Sequence, residues 1–240
     1  MIARMAPWLW MLASVAGLRA APEIRVLAWD DQVAAREVAL VSGKSTVEIE
    51  GMHPLKRTPP LKAPGAGPFA VRALDKGSGP DGAPIEVACA IPETLRHALL
   101  VLLPDEKHPT GLRPLVIDDN PAGFRWGSYR FLNTTSRELL AELEGKVVRV
   151  PPGWKPVDVR LAGDPRGFGV RIGLADAPDR PLYSAVWELE TDVRTLVFIV
   201  PGTDPRTGPL AFKAVPENRR ALEAERQGER PAPSAQPPAG

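Results

Sequence analysis

Leu99-Leu100-Val101-Leu102-Leu103-Pro104 is answered 97 residues on by Leu196-Val197-Phe198-Ile199-Val200-Pro201. Each is an apolar run closed by proline. So short a run, with no polar residue alternating, suits a strand covered on both faces rather than an amphipathic element. Proline then ends the strand because it has no N–H to give the ladder. Here that means a central strand, or one facing the other domain.

The duplication extends outward from these runs. Gly43-Lys44 recurs as Gly145-Lys146, and Gly51 and Pro54 recur as Gly153 and Pro156, all 102 apart. Phe69-Ala70-Val71-Arg72 matches Phe168-Gly169-Val170-Arg171 at 99, Glu93-Thr94 matches Glu190-Thr191 at 97, and Pro114-Leu115 matches Pro209-Leu210 at 95. The offset shrinks steadily, as small loop deletions in the second copy would make it. The expectation is two domains, residues 21–118 and 124–215, joined by the turn-forming linker 119–123. At about 100 residues each they are of ordinary domain size.

Within each copy the pattern is that of strands. Arg137-Glu138-Leu139-Leu140-Ala141-Glu142-Leu143 favours a helix by propensity, but its partner, Arg36-Glu37-Val38-Ala39-Leu40-Val41, is β-branched. Both lead through Gly-Lys into a β-rich run, so both read as the first strand of a hairpin. Ile24 to Trp29 and Tyr129 to Asn133 open the two copies as strands. Ile85, Val87, Cys89 and Ile91 alternate with smaller or polar residues, which places them on one face of another. Seven or eight short strands per copy, with turn signals between them, predict an all-β protein of two tandem antiparallel β-sandwiches of immunoglobulin-like type. An up-and-down barrel per copy is the alternative. Proline, 28 of 240 residues against an average of roughly 5%, agrees with sheets and disagrees with helices. Residues 216–240 are expected to form a short charged helix and then a disordered Pro/Ala-rich tail.

Residues 1–20 read as a secretory signal peptide: Arg4, an apolar run from Pro7 to Leu18, and small Ala20 before a cut. The run is shorter than the roughly 20 residues a membrane span needs. The expected location is therefore periplasmic or extracellular, with no transmembrane span in the mature chain. Thirty basic residues balance 29 acidic ones without a polybasic block, giving nucleic acid no electrostatic footing. Cys89 is alone, so no internal disulfide forms and both cores must hold by burial.

No catalytic residue, metal site or cofactor is assigned. His53, His97 and His108 sit in no nucleophile or metal-ligand pattern. Asp30-Asp31 and Asp118-Asp119 read as solvated turn acids, with interdomain calcium as the functional alternative. Cys89 aligns with Val186 and reads as packing. Asn133-Thr134-Thr135 fits the glycosylation triplet. The best surface lead is the pair of equivalent loops carrying Met52-His53 and Trp154-Lys155, expected as binding tips or as lids on their own sandwiches. Phe124 and Trp126 are candidates to pack the domains together. The function expected is that of an exported, non-enzymatic binding or scaffold protein of the cell envelope or extracellular space, with a protein or polysaccharide partner. The alternative is a secreted carbohydrate-active or other hydrolytic accessory protein.

Overall fold

The computed structural model describes residues 21–204, 206 and 208–227; the expected signal peptide and Pro-rich tail lie outside them. The first unit comprises β1 (Glu23–Ala28), α1 (Asp31–Ala34), β2 (Val38–Ser42), β3 (Ser45–Glu48), β4 (Leu61–Lys62), β5 (Phe69–Ala73), β6 (Glu86–Cys89), β7 (His97–Pro104) and β8 (Leu112–Asp118). The second comprises β9 (Ser128–Asn133), β10 (Leu139–Leu143), β11 (Lys146–Val150), β12 (Val157–Arg160), β13 (Arg166–Leu174), β14 (Pro181–Leu189), β15 (Val193–Pro201) and β16 (Leu210–Asn218). Helix α2 (Arg219–Gln227) follows. The first unit pairs a sheet ordered β4-β1-β7-β8 with one ordered β3-β2-β5-β6. The second pairs β12-β9-β15-β16 with β11-β10-β13-β14, the same order strand for strand. The protein is all-β and consists of two tandem β-sandwiches with a short C-terminal helix.

Pairing is antiparallel except where β1 meets β7 and β9 meets β15, which run parallel. These partners are not neighbours in the chain. The whole second sheet of the sandwich is made between them, so no tight turn dictates their direction. Both hairpins form where expected, with β10 a strand despite its helical composition. Ala141 and Glu142 gain ladder bonds on both sides, to β11 and to β13, and Leu139, Ala141 and Leu143 point into the core. Tertiary burial outweighs propensity differences of tenths of a kcal/mol.

The hairpin registers, Ser42↔Ser45 and Leu143↔Lys146, close two-residue turns. The first places Gly43 (φ 58°) at the first central position, while the second has Glu144 (φ 50°) and Gly145 (φ 79°) both left-handed. These are the sign patterns of the two turn types that match strand twist. The Gly-Lys matches 102 apart thus conceal a one-residue slip, since the paired positions are 101 apart. A larger correction applies to the last strands. Leu115 pairs with Val101 and Lys213 with Phe198, so Leu115 corresponds to Lys213 rather than to Leu210. β16 also continues past Val215 to Asn218, and accommodates Pro216 because it is an edge strand.

Each sandwich has its own core. Ile24, Val26, Leu40, Val71, Leu100 and Leu102 fill the first, and Phe131, Ala141, Phe168, Ile172, Val197 and Ile199 the second. A third cluster lies between the units: Leu27, Leu99, Val101, Phe124, Leu132, Leu196, Phe198 and Val215. Alternate residues of β7 and β15 therefore face their own core and the other domain, which is why those strands are apolar throughout. The two inner sheets pack against each other and the hairpin sheets lie outside. Phe124, fully buried, anchors the connection between units within this seam. Burying one Leu or Phe contributes about 1.5–3 kcal/mol, so the seam is comparable to the stability of an ordinary domain.

α2 is capped by Asn218, whose Oδ1 accepts from Arg220 N (2.9 Å) and Ala221 N (3.2 Å). It reaches back to the first unit, where Lys56 Nζ meets Glu225 Oε1 at 2.8 Å. No helix among the described residues is long and apolar enough to cross a membrane.

Candidate functional site

The two loops singled out from the sequence both meet the end of β1. The His53 carbonyl accepts from Ala28 N at 3.3 Å, and the Trp154 ring lies 5.4 Å from that of Trp29. Their apolar residues point to different places. Met52 is half-buried against the first core. Trp154, left-handed at φ 65°, is half-buried against the interdomain seam, with Phe198 at 6.0 Å and the Arg113 guanidinium 5.7 Å from its ring centre. It is held there by its N–H, which donates to the Asn133 carbonyl at 3.1 Å. Neither aromatic nor thioether projects as a free tip. His53 and Lys155 are exposed, and His53 Nδ1 accepts from Leu55 N at 3.0 Å.

The seam continues into a buried ionic cluster. Arg194, 2% exposed, donates from Nε to Glu217 Oε2 (2.7 Å), from Nη2 to Asp119 Oδ2 (3.1 Å), and from Nη1 to the carbonyls of Asp119 (3.0 Å) and Phe124 (3.1 Å). Arg25 bonds Glu217 Oε1 and donates from Nε to the Thr58 carbonyl at 2.9 Å. Arg57 donates to both oxygens of Asp119, at 3.1 and 3.4 Å. The guanidinium of Arg194 also stacks 5.0 Å from the rings of Phe124 and Trp126, and that of Arg130 4.4 Å from Phe124. The cluster joins β1 and the β3–β4 loop of one unit to β15 and β16 of the other, through Asp119 of the connection. Burial works against the Glu217 carboxylate, but Arg57, Arg194 and Arg25 together more than offset it and hold the group below its ordinary value.

Sequence reasoning named Phe124 and Trp126 to pack the domains together; Phe124 lies in the seam, while Trp126 is half-buried outside its apolar cluster, beside the Arg194 guanidinium. It missed the ionic cluster, reading Asp119 as a solvated turn acid when it is 5% exposed and bonded to two arginines. Asp30 is a helix cap, its Oδ1 accepting from Val33 N at 2.8 Å, and Asp118 closes a turn onto Asn120 N at 3.0 Å. The glycosylation triplet is also spent structurally. Asn133 is fully buried, donating from Nδ2 to the Arg137 (2.7 Å) and Val150 (3.0 Å) carbonyls, so its amide is out of reach of modification.

Two cavities bear on chemistry. One of about 570 Å³ lies at the α1 end of the first unit and holds Arg36, Asp105, Glu106 and His108. Asp105 and His108 are engaged by the loop itself, and Arg36 by Asp75. Asp105 Oδ1 accepts from Lys107 N (3.1 Å), and His108 Nδ1 lies 2.8 Å from the Thr110 hydroxyl and accepts from Thr110 N (3.2 Å). The other cavity, about 370 Å³, lies under α2 against the ionic cluster, walled in part by Arg25, Lys56, Arg57 and Glu217. Among the described residues no three His, Cys, Asp or Glu side chains are grouped to hold a metal ion.

Cys89 is 3% exposed and faces the first core, where burial raises its thiol to about 12. Its alignment with Val186 does not hold in space. Val186 is 71% exposed on the outer face of β14, while Tyr183 and Trp187 on the inner face take the core positions. Neither a scan against models of known protein families nor a search of curated proteins finds a match to this chain.

Proposed function

We propose that this is an exported, non-enzymatic binding or scaffold protein of the cell envelope or extracellular space, engaging a protein or polysaccharide through its outer surfaces. The observation that carries this reading is the interdomain seam. A hydrophobic layer and a buried ionic cluster fix two sandwiches back to back, in place of a flexible linker. A rigid body of this kind holds two outward sheets and their loop ends at a constant separation, which suits presentation of a surface to a large partner. Exposed His53 and Lys155, beside the end of β1, are the contact residues we assign to that partner. The immunoglobulin-like character of the sandwiches and the signal peptide over residues 1–20 are part of the same proposal.

The test is fractionation and crosslinking of the tagged full-length chain in intact source cells. The reading expects the protein in the exported fraction and a discrete crosslinked adduct with envelope protein or polysaccharide. Recovery in the cytoplasm, or release of reducing sugar from envelope polysaccharide by the purified chain, overturns it; the second result favours the hydrolytic alternative, with the cavity holding Asp105, Glu106 and His108 as the place to look.

A further inference from the structure

The ionic cluster does not balance. Arg25, Arg57 and Arg194 supply three positive charges, and Asp119 and Glu217 two negative ones. Both carboxylates are fully engaged: Glu217 takes Arg25 on one oxygen and Arg194 on the other, and Asp119 is held by Arg57 and Arg194. Lys56 spends its charge on Glu225 at 2.8 Å. What remains is one surplus positive charge and one donor. Arg57 Nη1 is buried and has no hydrogen-bond partner, alone in this among buried side-chain nitrogens and oxygens of the described residues, and its side chain is 1% exposed.

A buried guanidinium donor left unpaired is costly, because desolvation is uncompensated. Arg57 is also among the residues lining the cavity beneath α2, whose volume of about 370 Å³ is within the common range for small-molecule sites, about 300–1,000 Å³. Leu55, Pro216, Ala221 and Leu222 make another part of the wall apolar. We propose that this cavity binds a short-chain aliphatic carboxylate, its head group drawn to the surplus positive charge of the Arg25 and Arg57 wall and its apolar body lying against the α2 side. One surplus positive charge calls for a monoanion, and a planar carboxylate matches a guanidinium edge. A phosphate would bring close to two negative charges among carboxylates that are already paired. The site does not depend on where the protein is located or on any larger partner.

Isothermal titration calorimetry of the full chain at fixed ionic strength, with hexanoate, acetate, hexanol and inorganic phosphate, tests this. Hexanoate is expected to bind saturably at one site per chain, acetate about tenfold more weakly for want of the apolar contact, and hexanol not at all. Ala221→Trp fills the cavity from α2 without touching a charge and is expected to abolish hexanoate binding. Lys56→Glu, at a solvent-exposed position, is expected to weaken it about tenfold and serves if the first variant folds poorly. Absence of saturable hexanoate binding, equal binding of hexanol, or hexanoate binding unchanged in a folded Ala221→Trp or Lys56→Glu chain overturns the site. Tighter binding of phosphate than of hexanoate overturns the carboxylate assignment.

Discussion

His97 and Arg194 occupy the same place in the two sandwiches, near the start of the central strands β7 and β15, and the fold uses them in opposite ways. The Arg194 side chain is 2% exposed at the hub of the ionic cluster, while that of His97 is 38% exposed, with Glu23 at 3.8 Å. Both lie on the seam face of their strands. A duplicated chain brings two equivalent positions to the middle of the seam, but one arginine already takes up the carboxylates there, and its twin is left at the rim. The symmetry of the sheets is therefore kept while the symmetry of the chemistry is lost.

The largest effects should come from breaking that hub. Arg194→Ala leaves Asp119 and Glu217 short of a partner in a buried site and is expected to cost about 3–5 kcal/mol in urea unfolding. His97→Ala should stay within about 0.5 kcal/mol. Equal losses would mean that the two positions are used alike. Phe124→Ala, a fully buried ring removed from the same seam, should cost about 3–5 kcal/mol and separate one unfolding transition into two. It should also speed protease cutting of the connection near Asn120, expected to be slow in the native chain because Asp119 and Phe124 are buried on either side of it.

The cores offer the next contrast. Val26 in β1 and Phe131 in β9 hold equivalent places, pairing with Leu100 and Val197 in the parallel ladders. Phe131 belongs to an aromatic group, 6.0 Å from Trp187, which in turn lies 5.4 Å from Tyr129. The first core is aliphatic around Val26. Phe131→Ala should cost about 3–5 kcal/mol by calorimetry and Val26→Ala about 2 kcal/mol. The same seam couples both losses to one transition, so the difference would be read in the midpoint rather than as two separate melts.

Acid sharpens the comparison between buried and exposed pairs. Burial opposes the Glu217 charge but its three arginines outweigh it, so its folded value is depressed. Its stabilisation is present above the ordinary glutamate value, about 4.3, and is lost as pH falls through the lower folded value. Asp75 is also depressed, chiefly by its hydrogen bond from Arg36, but that pair is more open to solvent. Between pH 5 and 2, Glu217→Gln should remove more of the loss of stability on acidification than Asp75→Asn does. The reverse order would show that solvent screening has been misjudged.

The sequence made the double coverage of β7 and β15, the two hairpins and the seam role of Phe124 legible, because each is a local pattern: an unbroken apolar run, a Gly turn between β-rich segments, an aromatic in a connection. It did not reveal the ionic cluster. Arg25 and Glu217 are 192 residues apart, and each resembles an ordinary surface charge in its own segment. Nor did it reveal the parallel ladders, which depend on strands with no short connection between them, or α1, a single turn whose only local sign is Asp30 as its cap. The glycine identities placed the hairpins well but misjudged register, because the turn glycine sits at different positions in the two turns.

The smallest predicted effects concern the pair that the repeat aligned and the fold separated. Cys89 and Val186 differ by 97 in number, matching the local offset, yet one faces a core and the other solvent. In a strand a slip of one residue exchanges the faces, so an alignment wrong by one inverts every inference about burial. Cys89→Ser puts a hydroxyl where burial alone governs the site and should cost about 1–2 kcal/mol. Val186→Ser should change stability by less than about 0.5 kcal/mol. With its thiol raised to about 12 and enclosed, Cys89 should react with a thiol reagent no faster than the chain opens, and at full rate once unfolded in urea. Rapid labelling of the native chain, or a Val186→Ser loss equal to that of Cys89→Ser, would show that β14 and β6 do not present the faces described.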